Sequence, residues 1–165
     1  RLVPTYDLIN QVGVDVQYTY EGWLWKFEGL WRAQHGEHFA AATAGFEYTL
    51  YQLRGSDADL GLLIEYSRDE RSDDPVQSPP TLFNDDLFMG ARFTLNDVQS
   101  SELLAGFVVD RDGRSVQLSV EAERRLDNNW SVELESLWFL NSDDNDFVAA
   151  FRDDSYVTLR LSRYF

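Results

Sequence analysis

The sequence contains no cysteine, so disulfides and thiolate metal sites are excluded. Basic residues are also scarce, with 14 Lys and Arg against 29 Asp and Glu, which gives a formal net charge of −15. Because nucleic acids are bound by clustered basic residues, this balance argues against a nucleic-acid partner. No apolar run approaches the roughly 18 residues that a transmembrane helix needs. We predict no cofactor and no bound metal.

What the chain does have is alternation, and it is clearest in the last stretch, from Ser155 to Phe165. One set of alternate residues is apolar and the other is mostly polar. The first set is Val157, Leu159, Leu161 and Phe165, and the second is Thr158, Arg160, Ser162 and Tyr164. A period of two predicts a strand whose two faces meet different environments.

The same period recurs along the chain in about nine segments of about ten residues. The second segment, 23–32, carries three Trp and a Phe on one face and Lys26, Glu28 and Arg32 on the other. Turn signals separate the segments, including Glu21-Gly22, Asp112-Gly113 and 127–129. The pattern predicts an all-β fold: one domain over residues 1–165, built as an antiparallel up-and-down meander.

The closing strand, which stops on the aromatic Phe165, resembles the last strand of Gram-negative outer-membrane β-barrels of the porin-like kind. Arg163 departs from that pattern, in which an apolar or aromatic residue is typical. The resemblance implies a transmembrane barrel in the outer membrane, contact with membrane lipid and lipopolysaccharide, and recognition of the closing strand by the barrel-assembly machinery. A soluble barrel or sandwich is the alternative interpretation.

Loop lengths agree with the resemblance when Phe165 is placed on the periplasmic side. Both long connections, 68–86 and 141–154, then lie outside, and every periplasmic turn is short. The connection 34–38 is expected outside with medium length. Aromatic residues sort to the strand ends, as they do in membrane-interface girdles. We expect Tyr18, Tyr20, Trp23, Trp25, Phe93, Trp130 and Phe165 at the periplasmic ends, and Trp31 and Trp138 at the external ends.

The polar faces of the predicted strands carry charges at mid-strand, and we expect these residues to line the lumen. They are Asp15, Lys26, Glu28, Arg32, Glu47, Glu65, Arg92, Glu121, Glu123, Arg125, Glu133, Glu135 and Arg160. Carboxylates are in excess, so a water-filled lumen would mildly prefer cations. A salt-bridged interior that conducts nothing is the other interpretation.

An odd strand count conflicts with the even numbers of single-chain bacterial barrels. Either a tenth strand lies in residues 1–11, or an N-terminal portion precedes Arg1, or a further copy completes the wall. We favour the second, because Arg1 opens directly into a Pro-containing segment without a signal peptide. The chain is then expected to be the C-terminal part of a larger barrel.

The long connections are acidic, with Asp69, Asp85 and Asp86 expected in the first of them. Oxygen-rich loops can hold Ca²⁺, but no EF-hand spacing is present, and we expect solvated loops. The two histidines, His35 and His38, share one predicted external loop.

The predicted function is a passive porin-like channel for small polar solutes, without enzymatic activity. A non-conducting barrel for structure, adhesion or partner binding is the first alternative. A barrel-embedded hydrolase that uses His35 or His38 is the second.

Overall fold

The computed structural model describes residues 8–34, 36–72, 81, 84–113, 115–141 and 147–165. Within them the chain is all-β, with two short 3-10 segments at Leu53–Gly55 and Phe147–Phe151 and no α-helix. The strands are β1 Ile9–Tyr20, β2 Trp23–Gln34, β3 Glu37–Leu50, β4 Asp59–Asp69, β5 Asp85–Thr94, β6 Glu102–Asp110, β7 Val116–Arg125, β8 Trp130–Asn141 and β9 Tyr156–Arg163. The predicted strand number is confirmed.

The nine strands form one antiparallel sheet in which each strand pairs with its neighbours in sequence. The predicted meander is therefore confirmed. The sheet is open, because β1 pairs with β2 and β9 pairs with β8, and these nine strands do not close a barrel. A tenth strand is expected within residues 1–11 as one of the alternatives; of these, Ile9 to Gln11 belong to β1, and residues 1–7 lie outside the described residues.

Two of the predicted turns show why the chain reverses where it does. Glu21 adopts a positive φ of 51°, and Gly22 leaves no room for a Cβ, which would stand 2.8 Å from the Thr49 carbonyl oxygen. At the β6–β7 turn the Asp110 carboxylate accepts the backbone N–H groups of Asp112 and Gly113, at 2.8 and 3.0 Å. Such local bonds fix tight hairpins.

Three expectations about the connections are wrong. Asp69 is the last residue of β4, and Asp85 and Asp86 open β5, so these acidic residues lie in strands rather than in the long loop. The expected medium connection 34–38 is a tight hairpin, since β2 runs to Gln34 and β3 starts at Glu37. Cross-strand pairing extends each of these strands beyond the point where its apolar alternation fades.

The connections differ between the two ends of the sheet. The short-turn rim holds the turns 21–22, 51–58, 95–101 and 126–129. The long-loop rim holds 35–36, 70–84, 111–115 and 142–155, which include the two longest connections. The expected sorting of both long loops to one end is thus present in the sheet.

The register brings the alternate residues of all nine strands onto two common faces. The apolar face includes Val14, Phe27, Phe46, Ile64, Met89, Phe107, Leu118, Leu134 and Leu159, and the charged face includes the thirteen residues expected in the lumen. Large side chains of the apolar face are exposed, for example Trp25 at 47% and Leu159 at 70%. Among the described residues the only buried hydrophobic side chain is Ala58, in a turn. The sheet therefore has no hydrophobic core of its own.

Candidate functional site

The charged face is the candidate functional site, because the register collects all thirteen predicted residues there. Asp15 lies opposite Glu28, Glu121 opposite Glu135, and Glu133 opposite Arg160. Grooves of about 540, 370 and 340 Å³ open on this face. The shared face is a fact of the register, and the role of these residues as a lumen lining stays a prediction.

A cluster of five glutamates occupies β6, β7 and β8 near the short-turn rim. Glu123 lies between Glu102 and Glu133 on the two neighbouring strands, and Glu121 lies opposite Glu135. Directly opposed like charges destabilise a sheet. The five residues, with Leu104, Ala122 and Leu134, line the 340 Å³ groove.

Cationic and hydroxyl groups compensate only part of this carboxylate cluster. Arg160 donates to Glu133 at 2.9 Å, and the Tyr156 hydroxyl donates to Glu135 at 2.6 Å. Arg92 lies 3.5 Å from Glu102. Within the part of the chain that the structure describes, Glu121 and Glu123 form no ion pair.

Arg125 shares the charged face but does not join the glutamates. It is the last residue of β7, and its guanidinium donates to the Val98 carbonyl oxygen at 2.9 Å, in the turn 95–101. Arg125 therefore fixes a turn at the short-turn rim. Its backbone position explains this, since a long side chain at a strand end reaches the adjacent turn.

A second cluster lies on the charged face at the long-loop rim. Arg32 donates twice to the Gln11 side-chain oxygen, at 2.9 and 2.6 Å. The guanidinium groups of Arg32 and Arg71 lie 5.8 and 5.1 Å from the centroid of the Phe39 ring. Arg71 also pairs with Asp69 at 2.6 Å. Sequence reasoning missed Arg71 and Phe39, because the contacts join β2, β3 and the segment after β4.

At the middle of the charged face the Phe88 ring covers two glycines on neighbouring strands. A Cβ at Gly90 would stand 2.9 Å from this ring, and one at Gly106 would stand 2.8 Å from it. Gly90 and Gly106 lie opposite each other in the register. The ring therefore fills the space that the side chain of any residue other than glycine would occupy at these two positions. Lys26 and Glu65 line the adjacent 370 Å³ groove with Phe88.

Charge on the apolar face is confined to strand ends. The charged residues of the strands on this face are Arg68, Asp85, Arg124 and Arg163, each at or next to a strand end. At the long-loop rim, Asp85 accepts from Arg68 at 2.8 Å and from Arg111 at 3.1 Å. At the short-turn rim, Arg124 lies 3.4 Å from Asp97.

The turn residue Asp97 is held in its ionised form. The Ser101 backbone N–H and hydroxyl donate to it, at 2.8 and 2.9 Å, and Arg124 adds a positive charge. These hydrogen bonds, with the arginine, lower the pKa of the Asp97 carboxyl below its ordinary value, against the opposing effect of partial burial.

The predicted aromatic girdle residues lie towards the expected ends of the strands, except that β9 ends at Arg163 and Phe165 lies two residues beyond it rather than in the strand. Trp23 stacks on Trp25 with ring centroids 5.4 Å apart, and it contacts Phe46 and Tyr48 at 5.4 and 4.5 Å. Tyr18, Tyr20, Phe93, Trp130 and Phe165 also lie towards the short-turn rim, and Trp31 and Trp138 lie towards the long-loop rim. Their placement in a membrane interface stays a prediction.

The histidine hypothesis gains no support from the described residues. His38 lies on the apolar face beside Trp31, with ring centroids 6.4 Å apart, and His35 lies outside the described residues. Within the described part of the chain, no group of three or more His, Asp or Glu side chains could hold a metal ion.

The chain has no match among known proteins in three comparisons. No family model, no curated protein and no solved structure matches it. Among the described residues there is no helix long and apolar enough to cross a membrane. The class that the structure defines is an antiparallel nine-stranded meander with one apolar and one charged face.

Proposed function

We propose that this sheet is part of the wall of a transmembrane β-barrel in the outer membrane of a Gram-negative bacterium. The barrel would be a porin-like channel for passive passage of small polar solutes. In this arrangement the apolar face contacts lipid, and the charged face lines the lumen. The partners would be membrane lipid, lipopolysaccharide and the barrel-assembly machinery.

The observation that carries the proposal is the exposed apolar face, which is free of charge between its two rims. Its side chains include Val14 at 52%, Ile64 at 39% and Trp138 at 42% exposed, and in β5 and β7 the face continues with half-buried apolar residues. Soluble monomers rarely expose contiguous apolar patches above a few hundred Å². A lipid environment explains an apolar surface of this extent without a hydrophobic core beneath it.

The height of the charge-free band fits a bilayer. In β1 the apolar residues of this face run from Val12 to Tyr20, a distance of about 27 Å at 3.3–3.4 Å per residue. A tilt of about 40° reduces this to about 20 Å along the membrane normal, close to the roughly 25 Å apolar band of outer-membrane barrels. Arg68 and Arg124 mark the two ends of the band.

The composition of the charged face supports an aqueous lumen. Three cross-strand pairs place like charges directly opposite each other. They are Glu123 with Glu133, Glu121 with Glu135, and Asp15 with Glu28. Repulsion of this kind is costly in a dry interior, and water with dissolved cations would screen it. The carboxylate excess would give the channel a preference for cations.

The free edges of the sheet require further strands in a closed wall. Since neighbours alternate in direction, β1 and β9 run the same way and could not pair antiparallel with each other. An all-antiparallel ring therefore needs an odd number of additional strands. In hydrocarbon, such closure would satisfy the outer backbone groups of β1 and β9.

The test uses the full-length protein in detergent and in planar bilayers. We expect heat-modifiable migration on gels, and stepwise conductance that is cation-selective at low ionic strength, where screening is weakest. Migration unaffected by heating, together with no bilayer insertion, would contradict the transmembrane proposal. Heat-modifiable protein without conductance would reject the channel alone.

A non-conducting structural or adhesion barrel is the second candidate. The observation that favours it is the filling of the charged face by large side chains. Phe88 covers two glycines at its middle, and Phe39 with Arg32 and Arg71 occupies its long-loop rim. In a narrow barrel these groups would obstruct the lumen. The conductance measurement separates the two candidates.

A further inference from the structure

Arg163 lies near two aromatic rings at the short-turn rim. It is the last residue of β9 and lies on the apolar face opposite Trp130. Its guanidinium carbon is 5.5 Å from the centroid of the Trp130 ring and 4.7 Å from that of Phe165. Cation–π contacts of this kind position the charge without using the N–H groups of the guanidinium.

The N–H groups of Arg163 have no protein acceptor in the part of the chain that the structure describes, and no carboxylate pairs with it there. The other arginine of this face at the same rim, Arg124, is different. It donates to the Ser101 hydroxyl at 2.7 Å and lies 3.4 Å from Asp97. Of these two arginines, Arg163 is therefore the one whose exposed guanidinium has five donors and no anion.

The surroundings of Arg163 fit the two parts of a phospholipid. The apolar row of β9 starts next to it, with Leu161 at 58% and Leu159 at 70% exposed, and this row could receive an acyl chain. In a bilayer the headgroups lie where the apolar band ends, which is also where Trp side chains concentrate. Guanidinium groups bind phosphate oxygens through paired, charge-assisted hydrogen bonds.

We propose that Arg163, Trp130 and Phe165 form a binding site for the phosphate of a phospholipid in the leaflet next to the short-turn rim. The inference rests on the proposed function, because it requires the apolar face to lie in a bilayer. It also gives a role to the residue that departs from the closing-strand pattern of outer-membrane barrels. Arg163 would anchor the closing strand to the headgroup layer.

The test compares lipid retention by two matched variants of the full-length protein. Arg163→Gln and Arg124→Gln each remove one positive charge from the same face and rim. The proteins are reconstituted with phosphatidylglycerol, and the retained lipid is counted by native mass spectrometry after extraction into detergent. We expect Arg163→Gln to weaken retention of one lipid about fivefold, as for one basic residue near a membrane surface. Arg124→Gln should retain lipid as the unmodified protein does.

Arg163→Lys provides a variant with the charge and without the planar donor fork. We expect intermediate retention, since Lys binds phosphate as a point charge. Heat-modifiable migration of each variant shows first that it is folded. Equal retention by all folded variants would overturn the site and leave the proposed channel standing. Loss of the retained lipid on adding millimolar inorganic phosphate would also overturn it, since the site would then bind free phosphate. Failure of the unmodified protein to insert would instead reject the proposed function.

Discussion

The two faces of the sheet are made by the same strands and differ in where they carry charge. On the charged face, Lys26, Glu65 and Glu121 lie at mid-strand, in reach of grooves and counter-ions. On the apolar face the charged residues, such as Arg68 and Arg163, lie at or next to strand ends, and the strand residues between the two rims are uncharged. One backbone therefore separates two environments. Water can solvate the charged face, whereas the apolar face is stabilised by contact with another apolar surface.

The largest effect on stability is expected when a charge is placed in the middle of the apolar face, and the same change on the charged face is the comparison. Leu118 on the apolar face and Ser119 on the charged face are neighbours in β7. We expect Leu118→Arg to reduce the free energy of unfolding by about 2–4 kcal/mol, the range for arginine at the midplane of a barrel's lipid face. Ser119→Arg should reduce it less, because a long arginine side chain at this half-buried position can extend to water on the charged face. Urea unfolding in lipid vesicles measures both, and equal effects would remove the distinction between the faces.

The second test concerns the aromatic filling of the charged face. Gly106→Ala would bring a Cβ to 2.8 Å from the Phe88 ring, so the ring must move. We expect a loss of about 1–3 kcal/mol, as in other overpacked sites. Gly13→Ala on the same face is the control, because its Cβ would have its nearest neighbour at 3.6 Å. Phe88→Leu should relieve the cost of Gly106→Ala, and additive losses in this double-mutant cycle would contradict the packing account.

The smallest effect is expected at the rim, where Asp97 holds Arg124 of the apolar face. Because its pKa is lower in the folded chain than in the unfolded chain, ionised Asp97 stabilises the fold above the unfolded pKa of about 4. This contribution is lost as the pH falls through the folded pKa. Unfolding midpoints between pH 2 and pH 6 should therefore fall less steeply in Asp97→Asn than in the unmodified protein. An unchanged slope would show that the carboxylate contributes nothing.

The strands and their two faces could be predicted from sequence because a strand exposes its residues with a period of two. Large apolar residues such as Trp25 and charged residues such as Lys26 therefore indicate on which face of the sheet they lie. The ends of the strands could be predicted less well from the sequence. The acidic pair Asp85 and Asp86 has the composition of a loop, and its place in β5 depends on pairing with Arg68 and Ser67.

The contacts that define the candidate sites depend on register, which no single strand encodes. Phe88 meets Gly106 only because β5 and β6 align Gly90 with Gly106. Arg163 meets Trp130 because β8 and β9 bring these two residues opposite each other. The sequence marked Arg163 as an exception to a pattern, and its neighbours supply the reason.

The odd number of strands also has a consequence for the two compartments that a membrane separates. Nine crossings place Ile9 at the long-loop rim and Arg163 at the short-turn rim, on opposite sides of the bilayer in the proposed arrangement. A protease or a membrane-impermeant label applied from one side would therefore reach one end of this sheet and not the other. The end that is cleaved or labelled would show how the sheet is oriented in the bilayer.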